Sequence, residues 1–314
     1  MPVRVGATAL IAAALMAPAG CGSSNDPVAG AGGSPGARDN LAWAIPDAPA
    51  DLDPLFADTR SEQLVVRQLD EPLIERLAGP YGDVRRLPGL ALSANPVAGA
   101  TTWRLPLRAG VRFQDGTLFN ASAVLANAER WRASPTGRAL LPGLTAVDAP
   151  RPDLVRLFFD RATPKLPTLL SDPRLGIVSQ RALEPDPAAE LRHPERAGTG
   201  PFELRERGPS EVLVARNTGW WGTRHQLGPA LDQVQFRMVP SAAERLTLLR
   251  RGEVQVADRL GPAEVRRLRG DPLLSALPGP RGTVLGLERS VRGIDAATQI
   301  PSLSGAWLTR IRAG

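Results

Sequence analysis

The residue types that most often carry enzymatic chemistry are scarce in this chain of 314 residues, which has one cysteine, Cys21, and two histidines, His193 and His225. Neither histidine has the spacing of a zinc site or a nearby nucleophile for which it could act as a base. The sequence contains no phosphate-binding loop ending in Gly-Lys-Ser/Thr and no Gly-x-Gly-x-x-Gly run. It therefore predicts no catalytic residue, no metal site and no cofactor, and hence a protein that is not an enzyme. An enzyme would need carboxylates assembled from distant segments.

The cysteine indicates a different kind of chemistry. A basic start is followed by an uncharged stretch from Val5 to Ala17, too short to span a bilayer comfortably, and then by Pro18-Ala19-Gly20 directly before Cys21. This run resembles the lipobox of bacterial lipoproteins, except that Pro18 replaces the usual aliphatic residue. Residues 1–20 are thus predicted to be a signal peptide and Cys21 the site of lipidation. Cleavage after Ala17-Pro18-Ala19 is the alternative, and either way the protein is exported.

The net charge of +6 and the pI near 10.8 raise the question of a nucleic-acid partner. Arginine supplies almost all of the positive charge, since Lys165 is the only lysine. The arginines are mixed with acids, as in Arg205-Glu206-Arg207 and Glu244-Arg245, which we interpret as solvated faces. No aromatic run accompanies them, so the sequence offers neither a basic groove nor a stacking platform. We therefore predict no nucleic-acid partner.

The composition changes near residue 40. Residues 21–40 are rich in Gly, Ala and Ser, hold almost no large apolar side chain and are predicted to be a flexible tether. From Leu41 onward, short apolar runs are separated by many Pro and Gly residues, which predicts a mixed α and β fold.

Alternating apolar and polar residues predict two strands, at residues 102–107 and 232–239. Asp115-Gly116 predicts a tight turn.

Helix signals occur at two places. Asn120 is a plausible N-cap for a helix that ends near Arg132 and carries three core residues on one face, Val124, Ala128 and Trp131. Ser241 and Glu244 have the spacing of a capping box, and Gly252 lies where a glycine would end that second helix.

Four stretches together resemble the extracytoplasmic solute-binding proteins of the peptide and nickel transport family. Their order and spacing fit that family over roughly residues 41–275, although each alone is also an ordinary turn, loop or packing pair, as for Trp220 and Trp221. The stretches are Ala50-Asp51-Leu52-Asp53-Pro54 with Asp70-Glu71-Pro72-Leu73; Trp103-Arg104-Leu105 with residues 107–116 and 120–124; Gly198-Thr199-Gly200-Pro201-Phe202; and Arg216-Asn217 with Trp220-Trp221-Gly222.

The resemblance implies an α/β (mixed α+β) fold of the periplasmic-binding-protein-like type (class II, cluster C), in which two lobes close on a ligand. The loop after Leu-Asp-Pro faces the cleft in relatives, which makes Asp58, Thr59 and Arg60 candidate ligand-binding residues. It further implies a lipid-anchored component at the extracytoplasmic, periplasmic face of the cell membrane. Such a component delivers peptides or similar small solutes to an ABC permease and its ATPase subunits.

The chain departs from this family toward its C terminus. Relatives continue well beyond residues 252–257, whereas only 314 − 280 = 34 residues follow Pro280 here. Residues 284–294 resemble the strand that returns to the first lobe. We therefore expect the first lobe at residues 41–280, its return segment at 281–314 and a second lobe that is largely missing. The alternative function is a degenerate, non-transporting lipoprotein that keeps the scaffold as an interaction module.

Overall fold

The computed structural model describes residues 40–78, 84–183, 197–225, 229, 231–268, 274–279 and 282–287. Cys21, His193 and the predicted signal peptide lie outside these ranges. None of the described helices is both long and apolar enough to cross a membrane.

The described residues form strands and helices in mixed order, as the sequence predicts. The strands are β1 (Asn40–Ile45), β2 (Ile74–Ala78), β3 (Val84–Pro88), β4 (Asn95–Val97), β5 (Thr102–Pro106), β6 (Leu144–Arg151), β7 (Leu154–Phe159), β8 (Phe202–Arg207), β9 (Glu211–Arg216), β10 (Gln233–Met238), β11 (Val256–Leu260), β12 (Leu274–Gly279) and β13 (Gly282–Leu287). The helices are α1 (Arg60–Leu69), α2 (Ala121–Ala133), α3 (Pro135–Leu140), α4 (Leu166–Leu169), α5 (Gln180–Leu183), α6 (Ala242–Arg251) and α7 (Pro262–Leu268).

The largest sheet has seven strands in the order β12-β13-β11-β1-β10-β9-β8. Its centre is parallel, because β1 runs in the same direction as both β10 and β11. The outer pairs are antiparallel. The predicted strand at residues 232–239 is β10, so that prediction is confirmed. The other described strands form a four-stranded antiparallel sheet, β4-β5-β7-β6, and the hairpin β2-β3.

Both faces of the central strand are covered. Leu41, Trp43 and Ile45 pack in a cluster with the apolar side chains of α1, whereas Ala42 and Ala44 contact the cluster that contains α6 and α7. This division follows from the two-residue period of a strand, which sends neighbouring side chains to opposite faces. A parallel sheet needs such two-sided cover, since its strands carry apolar residues on both faces.

A third apolar cluster joins the four-stranded sheet to α2. The predicted strand at residues 102–107 is β5, and the predicted helix is α2, which Asn120 caps by accepting from Ser122 N at 2.9 Å. Trp131, Val124 and Ala128 are all 2% exposed or less. The predicted core face is confirmed.

The start of α6 corrects two predictions. Ser241 Oγ accepts from Glu244 N at 3.3 Å, but no return bond from Ser241 N to the Glu244 carboxylate is formed, so half of the capping box is present. Arg245, which the charge pattern places on a solvated face, is only 2% exposed. Its guanidinium donates hydrogen bonds to backbone carbonyls, and this kind of partner cannot be recognised from the local sequence. The predicted end of this helix is confirmed, because Gly252 is the C-cap of α6 and has the left-handed conformation, with φ of 73°, that favours glycine.

The four stretches that resemble the family meet at the C-terminal end of α1. Gly200 N donates to Leu69 O at 2.8 Å, Gln114 Nε2 to Phe202 O at 2.7 Å, and Asn217 Nδ2 to Gly200 O at 2.9 Å. A Cβ at Gly198 would lie 2.0 Å from Leu69 O. The glycine is required because no side chain fits between the loop and the helix. These contacts give the stretches a structural role.

The end of the described chain joins the same sheet. β13 begins just after the predicted boundary at residue 280 and pairs antiparallel with both β11 and β12. Residues 288–314 lie outside the described ranges, and the boundary between lobe and return segment stays a prediction.

Replacing Trp131 with alanine should lower the free energy of unfolding by about 3–5 kcal/mol, because it empties the centre of the α2 cluster. Urea unfolding followed by circular dichroism measures the change. Glu129→Ala, on the exposed side of the same helix, is the control and should change stability by less than about 0.5 kcal/mol. Equal stability of the two variants would contradict the assignment of Trp131 to the core.

Candidate functional site

The carboxyl ends of β1, β10 and β11 lie at one edge of the seven-stranded sheet, because these three strands are parallel. In open sheets with parallel strands, ligands bind where the chain leaves those ends. Here these ends comprise residues 46–59 after β1, residues 239–241 after β10, and residues 258–261, which are the last residues of β11 and the one that follows it. We call these three segments, with the first turn of α1 and the buried Arg245 of α6, the carboxyl edge. It is the candidate functional site.

The three candidate ligand-binding residues lie at this edge, where its first segment enters α1. Asp58 and Thr59 are exposed, and the Arg60 side chain is 38% exposed. Thr59 is also the N-cap of α1, because its Oγ1 accepts from Glu62 N at 3.1 Å while Thr59 N donates to Glu62 Oε2 at 2.8 Å. Thr59 therefore has a structural role, and contact of these residues with a ligand stays a prediction.

Carboxylates hold the segment before α1 in one shape. Glu62 Oε1 accepts from Ala50 N at 3.1 Å and from Asp51 N at 3.0 Å. Burial opposes the charge of Glu62, but the hydrogen bonds from Thr59 and Asp51 outweigh it and leave the pKa below its ordinary value. Asp53 accepts from Leu55 N and pairs with Arg130 of α2. The Leu-Asp-Pro segment is thus ordered by bonds to two helices.

Arg245 joins the ends of β10 and β11. Its Nη1 donates to Val239 O at 2.6 Å and to Pro240 O at 2.8 Å, its Nε to Asp258 O at 2.9 Å, and its Nη2 to Arg259 O at 3.0 Å. Burial lowers the pKa of Arg245, while the charge of Asp258 opposes that shift. Sequence reasoning missed this residue, since its partners are backbone groups.

Asp258 is a fully buried carboxylate at the same place, with 0% exposure. Arg60 Nε lies 3.2 Å from its Oδ1 and 3.0 Å from its Oδ2. A buried charge requires such a partner, because desolvation without one is strongly unfavourable. The ion pair connects the first turn of α1 to β11.

Arg259 follows Asp258 and points to solvent. Its Nη1 lies 3.2 Å from Asp47 Oδ2, and the two side chains are 50% and 45% exposed. The pairing of β11 with β13 shifts register between Ala257 and Leu260, so Asp258 and Arg259 lie in a β-bulge. Arg259 has φ of 52°, a conformation that side chains disfavour.

A second group of buried polar residues lies at the C-terminal end of α1. Helix α1 has ten residues and is therefore about 15 Å long, which separates this group from the carboxyl edge. Trp221 Nε1 donates to Glu71 Oε2 at 2.7 Å, and the Arg108 guanidinium lies 4.0 Å from the centroid of the Trp221 ring. Burial raises the pKa of Glu71 to about 8. Thr199 and Trp220 lie near this carboxyl and oppose the rise of its pKa. Their polar atoms, Oγ1 and Nε1, are nevertheless not in hydrogen-bonding geometry.

Two other features of the described residues do not form a competing site. A pocket of about 230 Å³ is smaller than the usual range for ligand sites, about 300–1,000 Å³. It is lined by Thr117, Leu118, Asn120, Ala123, Gln180 and Arg181. Within the described ranges, no group of three or more His, Cys, Asp or Glu residues is placed to hold a metal ion.

The raised pKa of Glu71 predicts a dependence of stability on pH. Between its ordinary value of 4.5 and about 8, the folded state binds the proton more tightly than the unfolded state, so stability falls as pH rises. The full effect of this one group is at most about 4–5 kcal/mol. Glu71→Gln should flatten the dependence measured by chemical unfolding between pH 5 and 8, and Glu129→Gln should not. Parallel curves for wild type and Glu71→Gln would contradict the assignment.

Known proteins resemble this chain in sequence. The glutathione-binding protein GsiB of Escherichia coli (strain 536) is 30% identical over 227 residues, which cover 70% of this chain and 42% of that protein. GsiB of Salmonella choleraesuis is 29% identical over 211 residues. The chain thus spans about two fifths of the length of the curated relatives it matches.

Solved structures share the fold. The binding protein DppA of Helicobacter pylori, in complex with the peptide STSA, matches with a TM-score of 0.66 and 20% identity. AgaA of Agrobacterium tumefaciens R10, in complex with agropinic acid, matches with a TM-score of 0.64 and 22% identity. Each match covers 76% of this chain and about half of the other, 50% and 47%. The mixed α/β fold of a periplasmic binding protein is confirmed.

A model of a protein family also matches the chain. The model described as "Bacterial extracellular solute-binding proteins, family 5 Middle" matches residues 86–294, which is more than half of the sequence. The resemblance carried by the four stretches is confirmed. The chain belongs to family 5 of the bacterial extracellular solute-binding proteins.

Proposed function

We propose that this protein is the binding component of an ABC importer, taking up peptides or similar small solutes at the carboxyl edge. The observation that carries the proposal is the arrangement of that edge, where three parallel strands end and Arg245 fixes the ends of two of them. A site that is already in place before the ligand arrives loses less conformational entropy on binding.

The class of solute is inferred from the relatives. Those similar in sequence are named as glutathione-binding proteins, and one structure of the same fold contains a peptide. Asp58, Thr59 and Arg60 are the residues we propose for contact with the solute. The partners would be the permease and ATPase subunits of the transporter, and no catalytic step is part of this role.

A lipid anchor at Cys21 completes the proposal. Cys21 is the only thiol of the chain and follows a run of small residues after an apolar stretch. Two acyl chains on one cysteine give stable attachment to a membrane, whereas one chain gives only reversible binding. The protein would then remain at the extracytoplasmic face of the cell membrane, close to the permease.

Replacing Cys21 with serine should release the protein from the membrane, because the acceptor of the lipid is removed. Fractionation of bacteria that express the wild-type and variant proteins, followed by immunoblotting, measures this. Ser23→Ala, two residues further along, is the control and should stay with the membrane. If Cys21→Ser and wild type fractionate identically, the lipoprotein assignment is wrong.

The second candidate function is an interaction module that no longer transports a solute. The observation behind this candidate is that the match covers only about half of each solved binding protein. A cleft formed by two lobes encloses its ligand, whereas a single lobe leaves one side of the ligand in water. The two candidates differ in whether the carboxyl edge binds a peptide at all.

The chain alone should bind short peptides only weakly, with a dissociation constant of roughly 0.1–1 mM, corresponding to about 4–5.5 kcal/mol. Water competes for each hydrogen bond at an open edge, so each contributes at most about 1 kcal/mol. Calorimetry of the purified protein, together with its oligomeric state by light scattering, provides the test. Nanomolar binding by a monomer would contradict the one-sided site, and no binding at any concentration would favour the interaction module.

A further inference from the structure

The backbone at Arg259 is shaped by Arg245 and not by the Arg259 side chain. Arg245 donates to the carbonyls of both Asp258 and Arg259. Consecutive carbonyls of a regular strand point in opposite directions, so a strand that offers two in a row to one guanidinium must leave its regular path. The positive φ of Arg259 is the result. Glycine adopts this conformation with less strain than arginine.

The contacts of the Arg259 side chain do not offset that strain. Its one ion pair, with Asp47, is about half exposed on both sides, and exposed pairs contribute little to stability. Strained residues cluster at binding sites, so the strain at Arg259 supports a role in binding. The guanidinium is held at the carboxyl edge, with Nε and Nη2 turned to no partner among the described residues.

Arg60 presents a second guanidinium at the same edge. Its Nε pairs with Asp258, and its two Nη atoms form no hydrogen bond or further ion pair within the described part of the chain. The fork of a guanidinium fits the two oxygens of a carboxylate. Asp47 and Asp258 each offset one positive charge, and Glu264 lies close by, accepting from Gly261 N at 3.1 Å. These three carboxylates balance Arg60, Arg245 and Arg259, so a solute carboxylate would be recognised through N–H groups that remain free and not through an excess of positive charge.

We propose that Arg259, together with Arg60, binds a carboxylate of the solute and so selects solutes that carry one. The inference rests on the proposed function, because it assigns the chemistry of recognition at the same edge. Arg259 Nη1 donates to Asp47 Oδ2 at 3.2 Å, which keeps the guanidinium in place. A solute carboxylate would take the nitrogens that Asp47 leaves open.

The test compares the dipeptide Ala-Ala with its C-terminal amide, which lacks the carboxylate. NMR titrations would be made on the wild-type protein, on Arg259→Gln and on Arg151→Gln, a control in which another exposed Arg–Asp pair is broken away from the edge. We expect wild type and Arg151→Gln to prefer the acid by about tenfold or more, the size of one charge-assisted hydrogen bond. Arg259→Gln should lose that preference.

Each other result has a definite meaning. If the wild-type protein binds acid and amide equally, or if Arg259→Gln keeps the preference, the inference is overturned while the proposed function stands. Binding of neither form by wild type overturns both.

A thermal melt of Arg259→Gly separates a binding role from a structural one. Because glycine relieves the strain, this variant should melt at or above the temperature of the wild type and still fail to prefer the acid. A melting temperature several degrees lower would show that the side chain is kept for stability, and would overturn the inference.

Discussion

The guanidinium of Arg245 is the interaction on which the carboxyl edge depends. It is buried, and it donates to four backbone carbonyls at the ends of β10 and β11. A buried cation must have such partners, because desolvation without them is strongly unfavourable. The same bonds fix the bulge in β11, which directs Asp258 inward to Arg60 and Arg259 outward. The shape of the candidate site therefore follows from one buried charge on α6.

The opposite end of α1 is held by close packing of backbone. There the Gly198–Phe202 loop lies against Leu69, while Gln114 and Asn217 satisfy its carbonyls. Helix α1 is thus fixed at both ends, by the loop at its C terminus and by the capping box and the Arg60–Asp258 pair at its N terminus. A rigid helix of this kind holds the candidate residues at a constant distance from the sheet.

Local signals predicted the elements well, because their causes lie within a few residues. Asn120 caps α2, the face with Trp131 is buried, and the alternation at residues 232–239 is a strand. Long-range partners were beyond sequence reasoning. The sequence predicted a solvated Arg245, because its partners are backbone carbonyls and the pattern of side chains does not show them. The partner of Glu71 is Trp221, which lies 150 residues away in the sequence. The bulge at Arg259 lacked the glycine that normally signals a positive φ.

The central claim is that a solute binds at the carboxyl edge. Mapping of backbone amide chemical shifts by NMR, with Ala-Ala added to the isotope-labelled protein, tests it most directly. The account predicts that the shifts concentrate in residues 46–60, 239–241 and 258–261, which are distant in sequence and adjacent in the fold. Shifts confined to the small pocket around Leu118 and Arg181, with the carboxyl edge unchanged, would contradict it.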